Sequence, residues 1–343
     1  MPTANRTWAG LISDLLAGRD LTAEAVWWAM DGVVRGEATS AQISGFLVAL
    51  RAKGETPGEI AAMASALRQH ATSVVIPGTF VDIVGTGGDG TGAVNISTMA
   101  AIVAASTGVT VVKHGGRAAS SQAGGSADLV EHLGIPLDLS AADAVRVAET
   151  VGITYLFAPR FNPALRHVAA VRRELGVPTA FNVLGPLINP AHPRHQLVGV
   201  ADARMQPVLA AALADRGTTA LIVRGDDGLD KLTTTTSSRV WVVRNGRCEP
   251  ESLDPRSLGL PLSPLAALRG STAAANAQVL HSVLSGEPGP VRNAVLLNAA
   301  AAVAVVQLTD DPLLDQLALT LKQCTEAIDS GRAAATLGRW IAG

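Results

Sequence analysis

The first part of the chain combines helical hydrophobic spacing with clear helix start signals. Apolar residues recur every three or four positions over residues 43–50, which places them on one face of a helix. Thr39 with Gln42, and Thr56 with Glu59, have the spacing of capping boxes, in which each side chain satisfies an end group of the helix. The pattern predicts an all-helical N-terminal unit.

From residue 76 onward, short β-branched runs alternate with helical stretches. The change begins at residues 74–78, where Pro77 interrupts the helical pattern. Alternation of this kind predicts parallel strand-helix-strand units. Strands are predicted near residues 80–84, 109–112, 153–158, 196–201, 219–224 and 239–244, with helices over 95–106, 126–133 and 140–151.

Two glycine-rich segments follow the first two predicted strands. The first, residues 82–92, leads into a helix N-terminus, where backbone N–H groups and the helix dipole favour an anion. The second, residues 113–121, carries Lys113, His114 and Arg117 into another glycine-rich turn. One such segment alone fits any sharp strand-to-helix turn equally well. Two of them at the carboxyl edge of one sheet favour a ligand with several phosphates.

A series of short motifs then follows in a fixed order. The motifs are Gly85-Thr-Gly-Gly-Asp89, Asn95-x-Ser-Thr98, Lys113-His-Gly-x-Arg117, Ser120-Ser121, Gly125-Ser-Ala-Asp128, Phe157-Ala-Pro159, Val171-Arg-Arg-Glu-Leu-Gly176, Phe181-Asn-x-Leu-Gly-Pro186, Asn189-Pro190 and Gly228-Leu-Asp230. In this order they resemble the anthranilate phosphoribosyltransferase family. The resemblance covers nearly the whole chain.

The resemblance implies an α/β fold of the nucleoside phosphorylase and phosphoribosyltransferase type. A small discontinuous helical domain would lie beside a larger α/β domain with a mainly parallel central sheet. The helical domain would comprise residues 1–75, joined by roughly residues 165–190, and the α/β domain would comprise residues 76–343. The family also implies a homodimer.

The implied reaction moves the 5-phosphoribosyl group from phosphoribosyl diphosphate to a small-molecule acceptor and releases diphosphate. Positioning and electrostatics do most of this work, so no single catalytic residue is predicted. A solvated loop lysine is the alternative interpretation of Lys113. The residues that match the family's phosphoribosyl diphosphate site are Gly85, Thr86, Gly87, Gly88, Asp89, Asn95, Ser97, Thr98, Lys113, Ser120, Ser121, Gly124 and Gly125.

The resemblance also implies a magnesium cofactor and an acceptor pocket. Magnesium prefers oxygen ligands and bridges protein groups to substrate phosphates, and Ser97 and Asp230 match the protein ligands. Arg172 matches the arginine that contacts the carboxylate of anthranilate, and a guanidinium suits that planar group. A structural role is the alternative for His114. The predicted acceptor-binding residues are His114, Gly116, Asn162 and Arg172.

Three positions depart from the family pattern. Gly116 replaces an asparagine, Asn162 replaces a histidine, and Lys231 replaces the glutamate of an Asp-Glu metal pair. Lys231 either displaces one magnesium ion and pairs with the diphosphate, or points away and leaves Asp226 and Asp227 to help the metal site.

The departures at Gly116, Asn162 and Lys231 favour an acceptor other than anthranilate. We expect an amine or hydroxyl of a specialised metabolite, such as an aminocyclitol. The alternative is anthranilate phosphoribosyltransferase of tryptophan biosynthesis, with tolerated substitutions.

Charge and composition reduce the number of functional classes to which the protein could belong. The net charge of −2 over 343 residues provides no electrostatic footprint for nucleic acid or an anionic membrane. This disfavours a third alternative, a non-catalytic nucleic-acid-binding paralogue. Cys248 and Cys324 match no metal-ligand spacing, and no stretch of the sequence has the pattern of a membrane span. We expect a cytoplasmic enzyme without a membrane or nucleic-acid partner.

Overall fold

The computed structural model describes residues 6–117 and 125–343, and its N-terminal part is helical. The capping boxes at Thr39 and Thr56 are present, and each side chain accepts a hydrogen bond from the backbone three residues later. Both predicted helix starts are therefore confirmed. The four N-terminal helices are α1 (Trp8–Leu16), α2 (Ala23–Val34), α3 (Ser40–Lys53) and α4 (Pro57–Gln69).

A seven-stranded sheet forms the centre of the larger part. Its strands are β1 (Phe80–Gly85), β2 (Thr110–Gly115), β3 (Ile153–Phe157), β4 (His195–Gly199), β5 (Thr219–Gly225), β6 (Ser238–Arg244) and β7 (Arg247–Leu253). The spatial order is β3-β2-β1-β4-β5-β6-β7. The first five strands are parallel and the last two are antiparallel. The predicted mainly parallel sheet is confirmed.

Helices cover both faces of this sheet. They are α5 (Ile96–Ser106), α6 (Ser126–His132), α7 (Ala141–Val151), α8 (Ala158–Phe161), α9 (Arg166–Leu175), α10 (Phe181–Leu184), α11 (Met205–Asp215), α12 (Ala273–Leu284), α13 (Pro290–Val306), α14 (Leu313–Asp329) and α15 (Arg332–Ala342). The apolar run at residues 299–306 lies in α13, whose middle is buried against the sheet and α5. Among residues 6–117 and 125–343, no helix combines the length and apolar character needed to cross a membrane.

Alternate residues of the central strands enter different cores. Ile83 of β1 and Leu197 of β4 belong to the core that contains α5 and α13. Val84 and Val198, one residue later, belong to the core that contains the N-terminal helices and α11. Because successive strand residues point to opposite faces, the central strands are apolar on both sides.

The later short helices pack onto the N-terminal helices. Helix α9 contacts α2 and α3, and α10 contacts α4. Val168, Val171 and Phe181 join the same hydrophobic cluster as the N-terminal helices. The discontinuous helical domain beside an α/β domain is the fold class that the sequence predicts, and it is confirmed.

Two features of the sheet differ from the sequence prediction. Strand β2 runs to Gly115, so Lys113 and His114 lie on a buried strand and not in the following turn. Strand β7 was not predicted, because its residues are mostly exposed and polar and lack an apolar pattern. It is held by pairing with β6 across a turn at Asn245 and Gly246.

Strands β1 and β4 are neighbours at the point where the strand order reverses, and their ends approach Asp230. A Cβ on Gly199 would lie 1.5 Å from the Asp230 carbonyl oxygen, and one on Gly85 would lie 2.3 Å from its Oδ2. Both strands therefore end in glycine because the backbone and side chain of Asp230 occupy the space. A crevice at such a switch point is where ligands bind in open α/β sheets.

Gly199→Ala should lower the free energy of unfolding by about 3 kcal/mol, because the backbone must move to admit the methyl group. Gly58→Ala is the control, since Gly58 lies exposed in α4 and a Cβ added there would have nothing within 4 Å. It should change that free energy by less than about 1 kcal/mol. Urea unfolding measures both changes in free energy. Equal losses of stability in Gly199→Ala and Gly58→Ala would contradict the close approach of Asp230 to Gly199.

Candidate functional site

A cavity of about 400 Å³ opens at the carboxyl ends of β1, β2 and β4. It brings together residues from both glycine-rich segments, α9 and the loop after β5. The predicted site residues that line it are Gly85, Thr86, Gly87, Gly88, Asp89, Asn95, Ser97, Lys113, His114, Gly116, Gly125, Arg172 and Asp230.

The remaining predicted residues do not line the described cavity wall. Thr98 is fully buried in α5, since one further helical residue turns its side chain away from the side of Ser97. Asn162 is buried and does not line the cavity; its Nδ2 lies 3.1 Å from Nε2 of His114. The binding roles of Thr98 and Asn162 therefore stay predictions, without a place on the described cavity wall. Ser120, Ser121 and Gly124 lie outside the described residues.

The first glycine-rich loop adopts a shape that requires glycine. Gly87 and Gly88 have φ angles of 69° and 78°, in the left-handed region that side chains disfavour. The Thr86 N–H donates to the Gly199 carbonyl at 2.9 Å, which joins the loop to the end of β4. Asp89 Oδ1 accepts from the backbone and hydroxyl of Thr91, each at 2.9 Å. The loop is thus fixed by hydrogen bonds at both ends.

Helix α5 directs its N-terminus toward this loop. Its N-cap residue, Asn95, makes no side-chain capping bond. The Asn95 side chain instead donates to the Gly125 carbonyl at 3.2 Å and accepts from Asn276 at 2.8 Å. Asn95 therefore ties Gly125, at the start of α6, and α12 to the same helix end. The first turn, including Ser97, adds the positive end of a helix dipole to the cavity.

Lys113 is a buried cation beneath the cavity. Its ammonium donates to the Ile83 carbonyl at 2.5 Å and to Ser97 Oγ at 3.3 Å, and the residue is only 2% exposed. The alternative of a solvated loop lysine is therefore wrong. Burial lowers the pKa of Lys113 to about 8, although the Asp82 carboxylate opposes this shift. The cation remains largely protonated at neutral pH.

Asp82 is the buried partner on the neighbouring strand. Burial raises its pKa to about 6, while Asn189 and the charge of Lys113 oppose the increase. Its carboxylate accepts from Asn189 Nδ2 at 2.9 Å and from the His114 N–H at 3.3 Å. The Asp82 network positions the end of β2, which carries both Lys113 and His114.

Arg172 and Phe181 both line the cavity. The Arg172 guanidinium lies 5.7 Å from the centre of the Phe181 ring, so a cation and an aromatic face adjoin. Arg173, the next residue, is exposed. A Cβ on Gly116 would meet only Ala158, at 3.9 Å, so this wall has room. These groups suit a planar carboxylate ligand.

Lys231 also faces the cavity, between two carboxylates. Its ammonium donates to Asp89 Oδ2 at 3.3 Å and to Asp230 Oδ1. The other oxygen of Asp230 accepts from the Gly87 N–H at 2.7 Å. Lys231 thus joins the loop after β5 to the first glycine-rich loop.

The alternative in which Lys231 points away is wrong. Asp226 is exposed and does not line the cavity. Asp227 Oδ2 accepts from the hydroxyls of Thr233 and Thr235, so Asp227 is part of a separate turn. Neither residue assists Asp230.

Comparison with known proteins agrees with this geometry. The sequence models described as "Glycosyl transferase family, a/b domain" and "Glycosyl transferase family, helical bundle domain" match residues 77–334 and 9–71. Anthranilate phosphoribosyltransferase of Streptomyces griseus subsp. griseus is 57% identical over 339 residues, which cover 99% of this chain and 96% of that protein. The chain belongs to the anthranilate phosphoribosyltransferase family. It is therefore an enzyme of the glycosyltransferase class.

Solved structures of this family have the same fold. Anthranilate phosphoribosyltransferase of Thermus thermophilus superposes with a TM-score of 0.89 at 41% identity, covering 97% of this chain and 98% of that one. The Saccharomyces cerevisiae enzyme, in complex with PRPP and Mg, has a TM-score of 0.88 at 29% identity, with 99% and 98% covered.

The two predicted magnesium ligands of this family member differ in how well they fit the ion. The Ser97 hydroxyl is an oxygen on the cavity wall, which also includes the first glycine-rich loop. Asp230 has one oxygen engaged by Gly87 and the other by Lys231. Within residues 6–117 and 125–343, no group of three or more His, Cys, Asp or Glu residues could hold a metal ion. Ser97 therefore fits a magnesium site, and Asp230 does not.

Some residues that hold the site were missed by sequence analysis. Asn298 of α13 accepts from the Leu232 N–H at 3.1 Å and donates to the Leu232 carbonyl at 2.8 Å. Asn276 of α12 donates to Asn95 Oδ1 at 2.8 Å. Both asparagines lie in apolar helical stretches, and a buried polar residue there was the available signal.

His114 should remain uncharged from pH 5 to 8 in the folded enzyme. Burial, with the nearby Lys113 charge, lowers its pKa from 6.5 to about 4, although the Gly185 backbone opposes the shift. Because this folded-state pKa lies below the unfolded value, His114 destabilises the fold as pH falls from 6.5 to about 4.

An NMR titration of the ring, with its signals assigned by comparison with His114→Gln, measures this pKa. A midpoint near the ordinary histidine value of about 6.5 would show that the ring is solvated.

Proposed function

We propose that the enzyme is a magnesium-dependent anthranilate phosphoribosyltransferase of tryptophan biosynthesis. It moves the 5-phosphoribosyl group of phosphoribosyl diphosphate to the amine of anthranilate. The observation that carries this proposal is one cavity whose wall holds the glycine-rich loops with Lys113, its proposed phosphate-binding end, and the Arg172–Phe181 pair, its proposed acceptor end. Relatives named for this reaction, 57% and 52% identical, support it.

The phosphate-binding end suits the departing diphosphate. During transfer the amine nitrogen bonds to the anomeric carbon, the bond from that carbon to the diphosphate oxygen breaks, and the amine loses a proton. Negative charge therefore grows on the leaving group. The N-terminus of α5, the glycine loop and Lys113 supply fixed positive potential there.

Magnesium would be held by Ser97 together with the substrate phosphates, since the ion commonly takes few protein ligands. When bound, it neutralises part of the diphosphate charge. Lys113 lies 3.3 Å from the Ser97 hydroxyl and orients that oxygen.

The other end of the cavity suits anthranilate. The Arg172 guanidinium would bind its carboxylate, and the Phe181 ring provides an aromatic neighbour. Neutral His114 lies in the wall without a competing charge. The acceptor amine would then be directed toward the ribose.

The expected specialised-metabolite acceptor is not supported by these relatives. Of the two acceptor departures, only Gly116 lines the cavity, while Asn162 lies behind His114. Within the proposal, Asn162 holds the His114 ring and Gly116 leaves unfilled space.

The test is diphosphate release from phosphoribosyl diphosphate with magnesium, comparing anthranilate with a panel of amines, other aromatic acids and aminocyclitols. We expect turnover with anthranilate and a product that carries the phosphoribosyl group on nitrogen. Turnover with another panel member and none with anthranilate would overturn the assignment.

Arg172→Gln should raise the KM for anthranilate about 10- to 100-fold, because a charge-assisted hydrogen bond contributes about 1.5–3 kcal/mol. The KM for phosphoribosyl diphosphate should change little, since Arg172 lies at the other end of the cavity. Arg173→Gln is the matched control, because that neighbour is exposed. Equal effects of the two substitutions on steady-state kinetics would refute this role of Arg172.

Several expectations stay predictions alongside this proposal. They are the domain boundary near residue 75, the homodimer, and the roles of individual site residues. Light scattering after size-exclusion chromatography measures the oligomeric state.

A further inference from the structure

The geometry points to Lys231 as a built-in cation that replaces a divalent ion and binds the diphosphate. Its ammonium donates to Asp89 and Asp230, the two carboxylates that face the cavity beside the glycine loop. The identity of the phosphate ligand rests on the proposed function. The ion pairs themselves do not.

The charges of Asp89, Asp230 and Lys231 determine how strongly this part of the cavity attracts a cation. Two carboxylates and one ammonium carry a net charge of −1. With the glutamate of the family pattern at position 231, three carboxylates would carry −3 and attract a divalent ion. The two ion pairs favour the charged form of the Lys231 ammonium, which lies between the two carboxylates.

The position of Lys231 is set by the surrounding backbone. The Asn298 side chain accepts from the N–H of the next residue, Leu232, and donates to the carbonyl of Leu232. On the other side, Gly199 allows the Asp230 backbone to approach the end of β4. The Lys231 side chain is only 16% exposed. It is thus part of the cavity wall and not a mobile surface lysine.

The same arrangement disfavours magnesium between Asp89 and Asp230. The ion demands near-octahedral oxygen ligands, and here an ammonium already bonds to both carboxylates. An entering ion would have to break both ion pairs and meet the repulsion of Lys231. A lysine ammonium is in turn a good point-charge ligand for phosphate. Lys231 thus faces the diphosphate directly, and magnesium is confined to Ser97.

The first experiment counts bound metal without requiring turnover. Mn²⁺, read by electron paramagnetic resonance, is titrated into the enzyme with phosphoribosyl diphosphate and no acceptor. The wild-type chain should bind about one fewer Mn²⁺ ion than Lys231→Glu, because the glutamate restores an oxygen ligand. Lys322→Glu, an exposed change of the same charge on α14, should match the wild type. An equal count for wild type and Lys231→Glu would overturn the inference.

A second experiment uses a different substitution, in case Lys231→Glu folds poorly. Lys231→Gln leaves Asp89 and Asp230 without their cation, so Mg²⁺ alone should raise its melting temperature by about 2–4 °C. The wild type should show no such increase. Equal stabilisation of both proteins by Mg²⁺ would overturn the inference without any substrate.

These outcomes are separable from the proposed function. Metal counts that differ as expected, together with no turnover of anthranilate, would retain Lys231 as the cation and reject the acceptor. Turnover of anthranilate, together with equal metal counts for the wild type and Lys231→Glu, would retain anthranilate as the acceptor and reject Lys231 as the cation.

Discussion

The close contact between Asp230 and the ends of two parallel strands is the constraint on which the cavity depends. Gly85 and Gly199 lack the Cβ atoms that would collide with Asp230. Asp230 in turn accepts from the Gly87 N–H at 2.7 Å and so fixes the glycine loop. The loop shape, the position of Lys231 and the opening of the cavity all follow from this one approach. A methyl group at Gly199 would disturb all three together.

Charged groups also lie buried beside this cavity. Lys113 and Asp82 lie on neighbouring strands. Burial lowers the pKa of Lys113 and raises that of Asp82, so it favours the neutral form of both groups. Each is nevertheless satisfied by hydrogen bonds, from Lys113 to Ile83 and from Asn189 to Asp82. Removing one partner would leave an uncompensated buried charge, which is costly. The buried network therefore maintains a fixed electrostatic field instead of one that solvent rearranges, as the proposed departure of diphosphate requires.

Local sequence signals predicted helix starts and most strands, whereas the family resemblance supplied the domain arrangement and the site residues. Capping at Thr39 and Thr56, and the glycine-rich loop after β1, are set by neighbouring residues and were predictable. The hydrogen bonds between Asn298 and the Leu232 backbone join residues 66 positions apart, and no local sequence pattern predicts such a contact. Thr98 shares a motif with Ser97, yet one step along the helix buries it. Sequence order therefore predicted which segments meet, whereas side-chain direction required the three-dimensional structure.

The two acceptor departures have different physical meanings. A substitution at Gly116 acts on the volume of the cavity, because a Cβ there meets only Ala158. A substitution at Asn162 acts on His114, since the Asn162 amide bonds to the ring and to the Ile188 carbonyl behind it. A histidine at position 162 would bring a second titratable ring against His114, whereas asparagine is neutral at every pH. Within the proposed function, Asn162 would therefore act through the His114 ring and Gly116 through the volume of the cavity.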